Sequence, residues 1–298
     1  MAIHLINYAD WRFSLKHKEQ QTQQITTANR IGIDNKNIHG WNRERLIKTS
    51  FYKNHKDILD EKLGAGLWLY NPFLINKYLN ELTSKDILIY ADCDIPFIRP
   101  LDLLIQVCES NNGLFYMKNK HYNIRYTKKY CFRTMNCDVP KYHWTTQITA
   151  GFVIVKRNPF TLKFFKEFLA LCCNKKLIDD NTYGVSNYKE FIAHRHPVSV
   201  LTNLHRKYNL NAFCAPVDPD LFFEKYKAKD YGYEDIFNND EKRHNATYLG
   251  VQLLGGQIGS MNNKRRFATL KSKAKRMKQE GIKWKKDHKK GFILTKKS

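Results

Sequence analysis

Apolar and polar positions separate most sharply between Asp86 and Pro100, where five consecutive apolar residues, 87–91, stop at two carboxylates one residue apart, Asp92 and Asp94. A short apolar run closed by turn residues predicts a buried strand, and Pro96 and Pro100 prevent its regular continuation. Residues 3–10 repeat the pattern, an apolar run breaking at Asp10. Residues 16–29 are polar and Gln-rich, as in a surface helix, and segments 30–34 and 38–41 supply a second short strand. Strand, helix and strand at this spacing predict a βαβ start. A helix is expected from Asn71-Pro72 to Leu82, and its first amides are candidates to face a phosphate. Leu162, Phe164, Phe165, Phe168, Leu169 and Leu171 define one amphipathic core helix, and residues 199–208 predict another. Between them and the acid pair, residues 118–144 show little apolar periodicity. They read either as an excursion over a site or as a solvated basic loop. Together these elements predict an α/β fold with an open sheet flanked by helices.

Composition narrows the setting. The chain has 298 residues, 42% of them hydrophobic, enough for one large domain with a tail. We expect a domain over 1–260 and a basic tail over 261–298. No stretch approaches the roughly 20 apolar residues of a membrane span, and the N-terminus lacks the pattern of a secretion signal. Seven irregularly spaced cysteines suit a reducing compartment, so a cytoplasmic protein is expected. The net charge of +23 is unevenly spread: residues 264–298 hold fifteen Lys or Arg against Glu280 and Asp287, a net of +13 that leaves +10 for the rest. Phe267, Leu270, Ala274, Met277, Ile282 and Trp284 fall at partly helical spacing among these lysines. Such a tail suits an anionic membrane surface, a nucleic acid, or solvent.

The acid pair carries the chemistry. In open α/β sheets ligands bind beyond the carboxyl ends of strands, and hard cations such as Mn²⁺ or Mg²⁺ take carboxylate and phosphate oxygens there. A nucleotide-sugar diphosphate is a natural bridging partner. Taken alone, Asp-x-Asp is equally a turn or cap.

Three further segments, in order, specify more. Gly64-Ala-Gly-Leu-Trp68 lies about twenty residues before the Asp-x-Asp strand; Gln147-Ile-Thr-Ala-Gly151 follows; and a block runs from Leu177-Ile-Asp-Asp180 through Asn187 and Phe191 to His194-Arg-His196. Over roughly residues 1–210 this arrangement resembles a group of nucleotide-sugar glycosyltransferases of the GT-A type. The resemblance implies a GT-A, Rossmann-like fold, with a central mixed sheet flanked by helices, and a metal-dependent transfer of a sugar to a saccharide or lipid-linked glycan. It implies that Asp94 binds the metal, with Asp92 contacting the metal or the donor, and that Gly64, Gly66 and Trp68 shape the donor pocket with Tyr8 near the base. Gln147, His194 and His196 would line the acceptor side, and His244 is a candidate late metal ligand. The chain departs from the pattern at Leu63, where the family has Arg, leaving Lys62 as a substitute for that charge. It has Tyr70-Asn71-Pro72 in place of Trp-Lys-Pro. It also has Pro197-Val198-Ser199 where the family has Asp-Gln-Ser, so the usual acid after His196 is absent. Asp180 and Glu190 are then the nearest acids for a base.

Two rivals are weighed against this reading. An aspartate-nucleophile phosphatase also places Asp-x-Asp after a strand, but Ile95-Pro96 fits its sequence poorly. A nucleic-acid- or membrane-binding protein on a degenerate transferase fold would explain the tail and leave the acid pair without a role.

Overall fold

The computed structural model describes residues 1–12, 15–97 and 100–214, and two strands near the C-terminus, 282–287 and 291–296. Both early apolar runs form strands, β1 (Ile3–Ala9) and β3 (Ile87–Ala91), and helix α1 (Leu15–Arg30) carries the chain from β1 to β2 (Ile38–Asn42). Helix α2 (Tyr70–Glu81) precedes β3, and α3 (Asp102–Ser110) follows it. Then come β4 (Leu114–Tyr122), β5 (Thr146–Lys156), α4 (Pro159–Cys172), α5 (Pro197–Lys207) and the short β6 (Phe213–Cys214).

The six strands form one mixed sheet in the order β2-β1-β3-β5-β4-β6. β1 runs parallel to both β2 and β3, whereas β5 is antiparallel to β3 and β4. β3 is apolar throughout because both of its faces are covered. Leu88 and Tyr90 pack into the core with α2, α4 and α5, while Ile87, Ile89 and Ala91 pack into the opposite core with α1 and α3. This is the mixed, helix-flanked α/β sheet expected from the sequence. Because β2 and β3 lie on opposite sides of β1, strand order reverses beside β1. The carboxyl ends of β1 and β3 therefore border a switch-point crevice.

Three local expectations need correction. Helix α1 is not simply a surface helix: Gln21, Gln24, Thr27 and Ala28 are buried against the sheet. Their spacing of three and four residues is a buried stripe written in polar letters. Residues 118–144 are no solvated loop, since after β4 they fold into short helices at Asn123–Tyr126, Lys129–Thr134 and Pro140–His143 around buried Ile124, Cys131 and Phe132. In the tail, Ile282 and Trp284 lie in strand β7 (Ile282–Asp287), which pairs antiparallel with β8 (Gly291–Lys296) instead of continuing a helix. There Ile and Trp alternate with Lys at period two, a strand pattern. Phe267 to Met277 and His244 lie outside the described residues. No helix among the described residues is long and apolar enough to cross a membrane.

Candidate functional site

The crevice is built by β1, β3 and β5. The Asp92 amide donates to the Gly151 carbonyl at 2.7 Å, tying the end of β3 to β5. Helix α1 holds the acidic loop from the other side: Gln24 Nε2 donates to the carbonyls of Asp92 (2.7 Å) and Ile95 (2.8 Å), and Thr27 Oγ1 accepts from the Phe97 amide. Asn7 Nδ2 donates to Gln24 Oε1 at 2.6 Å, and Gln21 bonds to Asn7 Oδ1, so the clamp is a buried amide chain. These glutamines are site-building residues that sequence reading missed. Their only signal is the buried spacing of Gln21, Gln24 and Ala28.

The Asp92 carboxylate lies directly over the Gly151 Cα, where a Cβ would overlap Oδ2. Its Oδ1 accepts from the Tyr90 hydroxyl at 3.0 Å. Although Asp92 keeps partial exposure, burial first and the Asp94 charge second push its pKa up to about 7, against the Tyr90 hydrogen bond. None of the influences on Asp92 is a cationic side chain.

Across the crevice, Tyr8 stacks on Tyr70 with ring centroids 3.9 Å apart. The Tyr8 hydroxyl donates to Asp10 Oδ2 at 3.3 Å, and Arg12 grips both Asp10 oxygens. Burial works to raise Asp10, but the Arg12 hydrogen bonds and charge outweigh it and hold that carboxyl below its ordinary range. Burial, then Asp92, then Tyr8 lift the Tyr70 hydroxyl far above its ordinary pKa, which puts Tyr70 between the two acidic strand ends. Asn71 is buried beside it, with Nδ2 donating to the Ala150 carbonyl and Oδ1 without a partner among the described residues.

The glycine segment has an unusual backbone. Gly64, Ala65, Gly66, Leu67 and Trp68 all have positive φ, from 51° to 101°. This is a left-handed turn, costing about 1–2 kcal/mol at each of its three non-glycine residues. Buried Ala65 and Leu67 hold it in place, and a Cβ on Gly66 would come within 2.7 Å of the Leu59 Cα. The turn also uses early amides of α2: Leu69 N donates to Gly66 O and Asn71 N to Trp68 O, and Pro72 has none. A phosphate therefore finds few free donors at that helix end. The turn sets Trp68, 38% exposed, against the His196 ring at 5.0 Å, and a Cβ on Gly64 would overlap the Trp68 ring.

Each of the two histidines addresses a consecutive carbonyl at the end of the short helix Lys175–Ile178: His194 Nε2 donates to Leu177 O at 2.8 Å and His196 Nδ1 to Ile178 O at 2.7 Å. His196 has φ +52° and stands at the N-cap of α5, where the chain turns into that helix. His194 Nδ1 accepts the Lys128 amide, so both ring nitrogens are used inside the protein. Burial, then Lys128, push its pKa down to about 3, which keeps it neutral. Gln147 is likewise interior, donating to the Tyr126 carbonyl at 3.1 Å, with Oε1 unpartnered among the described residues. Neither His194 nor Gln147 forms part of an exposed wall. Lys62 and Asp180 are exposed, and neither side chain has a hydrogen bond or ion pair among the described residues.

The structure thus brings together Tyr8, Asp92 and Asp94 in one group and Gly64, Trp68 and His196 in another, joined by Tyr70 and Asn71. Its other acid of note is Asp179, next to the predicted Asp180. Asp179 is buried and ion-paired with buried Lys128 at 2.6 Å, with further bonds from Asn181 and Tyr183. Among the described residues no three His, Cys, Asp or Glu side chains converge as a ready metal cage. Asp92 and Asp94 remain a hard-oxygen pair without a counter-cation among the described residues. That fits a divalent ion completed by substrate oxygens better than an all-protein site.

No protein-family model matches the chain, and no curated protein matches it in sequence. Several solved glycosyltransferases are similar to it in structure. Mouse xyloside xylosyltransferase 1, in its apo form, aligns at 9% identity and a TM-score of 0.40 over 80% of this chain and 92% of that one. The bifunctional glycosyltransferase WbbM aligns at 16% identity and 0.35, over 58% of this chain and 35% of that one. A glycosyltransferase involved in glycosylation of the major capsid of PBCV-1 aligns at 11% identity and 0.32, over 65% and 82%.

Proposed function

We propose that this chain is a metal-dependent glycosyltransferase that moves a sugar from a nucleotide-diphosphate donor to a saccharide or lipid-linked glycan. The observation carrying the proposal is the acid pair Asp92–Asp94 at the switch-point crevice, with the Asp92 carboxylate pressed over Gly151 and no cationic side chain among the described residues to neutralise it. Asp94 and Asp92 would hold Mn²⁺ or Mg²⁺. When bound, the cation supplies positive charge against which a diphosphate leaving group is stabilised. The chain's own residues prepare that place. Tyr90 orients Asp92, Gln24 fixes the loop between the acids and Phe97, and the Tyr8–Tyr70 stack forms an aromatic wall beside them. Gly64 and Gly66 permit the turn that presents Trp68 toward a ligand. The proton on His196 Nδ1 leaves Nε2 as an acceptor, which makes His196 a stronger candidate than exposed Asp180 for receiving an acceptor proton. The free cysteines among the described residues support a reducing, cytoplasmic setting, and the basic tail suits peripheral contact with an anionic membrane.

The test is calorimetric titration of Mn²⁺ with a panel of nucleotide diphosphates, followed by hydrolysis of the corresponding nucleotide sugars. Metal-dependent nucleotide binding that Asp94→Ala abolishes is expected. Failure of wild-type protein to bind any nucleotide in the presence of Mn²⁺ or Mg²⁺ would reject the proposal.

A further inference from the structure

Beyond the acid crevice, β5 continues toward its own start. Gly151 lies over Asp92, and Thr146, five residues earlier, pairs with Tyr122 at the end of β4. The ladder is irregular on the way, with bulges where Met117 pairs Thr149 one step after Tyr116 pairs Val153, and the strand continues from Gly151 to that rim. There two aromatic side chains stand in solvent: Tyr122 is 46% exposed and Trp144 54%. Their rings meet edge to face, 5.7 Å apart and 79° between planes. The Asn123 amide donates to the Thr145 carbonyl at 2.8 Å, which fixes one ring relative to the other. Exposed Arg125 follows one helical turn after Tyr122, and its carbonyl accepts the Ile192 amide at 2.8 Å. Arg195 lies over the Tyr126 ring at 5.0 Å, and exposed Lys141 and Arg206 are joined through the Lys141 carbonyl. Residues 118–144 hold seven Lys or Arg and a single acid, Asp138. Asp138 is already engaged by His143, Tyr188 and Arg133.

Two large rings exposed side by side offer a ready apolar contact surface for a ligand. Aromatic faces bind the C–H faces of saccharides, and guanidinium groups take carboxylates in a fork. We propose that the Tyr122–Trp144 rim, with Arg125, is a subsite for an anionic saccharide chain, a glycan carrying carboxylate groups, whose end reaches the acid crevice along β5. This rests on the glycosyl-transfer reading and specifies the acceptor class. The right-angled pair of rings favours a saccharide over single-stranded nucleic acid. Planar bases stack on parallel open faces, whereas two perpendicular faces cradle a puckered ring.

The experiment uses the full chain in calorimetry at fixed ionic strength with oligogalacturonate, a neutral maltooligosaccharide of equal length and oligo(dT), in wild type, Trp144→Ala, Tyr122→Ala and Arg125→Ala. Oligogalacturonate should bind wild type more tightly than the neutral chain and lose about tenfold in affinity in Trp144→Ala, with a smaller loss in the other two variants. The exposed positions leave the fold intact, which unchanged melting temperatures would verify. Binding driven by the basic tail is common to all four proteins and cancels in the comparison. No oligogalacturonate binding by wild type, no loss in Trp144→Ala and Tyr122→Ala, or a loss confined to oligo(dT) would overturn the proposal. Mn²⁺-dependent nucleotide binding, measured on the same wild-type sample, reports separately on the glycosyl-transfer reading.

Discussion

Two enclosed aspartates in this molecule have opposite surroundings. Asp179 is matched by Lys128 at 2.6 Å, and Asn181 and Tyr183 add hydrogen bonds, so the charge is answered wholly inside the protein. Asp92 has one hydroxyl, a second carboxylate two residues on, and no cation among the described residues. Burial works against both ions. It is overcome at Asp179, whose pKa is lowered, and at Asp92, which rises to about 7, no positive charge among the described residues opposes it. On the proposed function, the difference separates a charge kept for architecture from one left for a cation that arrives from solution. Lys128 ties the 123–143 helices to the segment carrying His194, while Asp92 faces the crevice where β1 and β3 end.

The largest effect should come from breaking the answered pair. Lys128→Met leaves Asp179 buried and unpaired and removes the bonds from Lys128 Nζ to the carbonyls of Asp179 and Asn181. A loss of about 3–5 kcal/mol is expected in urea denaturation. A loss below about 1 kcal/mol would show that the pair is not the fastener described here.

Next in size is Gly151→Ala, which drives a methyl into Asp92 Oδ2. The carboxylate must move and the β3–β5 pairing must give, at about 1–3 kcal/mol. The more telling result is loss of Mn²⁺-dependent nucleotide binding in a protein that still folds. Retained binding would mean that the position of Asp92 over Gly151 has no bearing on the ligand.

The Lys128 side of the comparison also predicts a pH response. The pKa of His194 falls from an ordinary 6.5 to about 3 on folding, so the unfolded chain binds the extra proton between those values. Stability should therefore drop as pH falls below about 6.5, by up to roughly 1.4 kcal/mol per pH unit from this group alone. Asp179, with its lowered pKa, adds a further loss near and below its unfolded value of about 3.9. His194→Gln should flatten the slope between pH 6.5 and 4 in denaturation series. An unchanged slope would assign it to other buried histidines such as His205, which burial lowers to about 4.

How much of this was readable in the chain follows from what each feature depends on. The strands of the βαβ start, β3, α4 and α5 are local patterns, and the acids after Ala91 are a local consequence of where β3 stops. The left-handed turn at Gly64–Trp68 was not readable, because Ala65, Leu67 and Trp68 take positive φ only when Leu59 and the α2 core hold them. The Lys128–Asp179 pair joins residues 51 positions apart. In sequence Lys128 looks like one of many solvated lysines, and Asp180 is as plausible as Asp179. Gln21 and Gln24 read as surface residues because their apolar counterparts were missing from the stripe, although the spacing was there.

The smallest predicted change sharpens the comparison most. Asp92→Asn keeps the shape of the side chain and an acceptor for Tyr90 while removing a like charge beside Asp94. Relief of that repulsion is offset by an amide group over Gly151 with no acceptor, so stability should stay within about 1 kcal/mol of wild type. Asp179→Asn, the same chemical change, should cost several times more because it orphans Lys128. Urea denaturation of the two variants side by side measures the contrast directly, and Mn²⁺ titration of Asp92→Asn should show the cation lost. If Asp92→Asn instead unfolds as readily as Asp179→Asn, the Asp92 charge is satisfied by the protein itself, and an incoming cation is no longer needed to account for it.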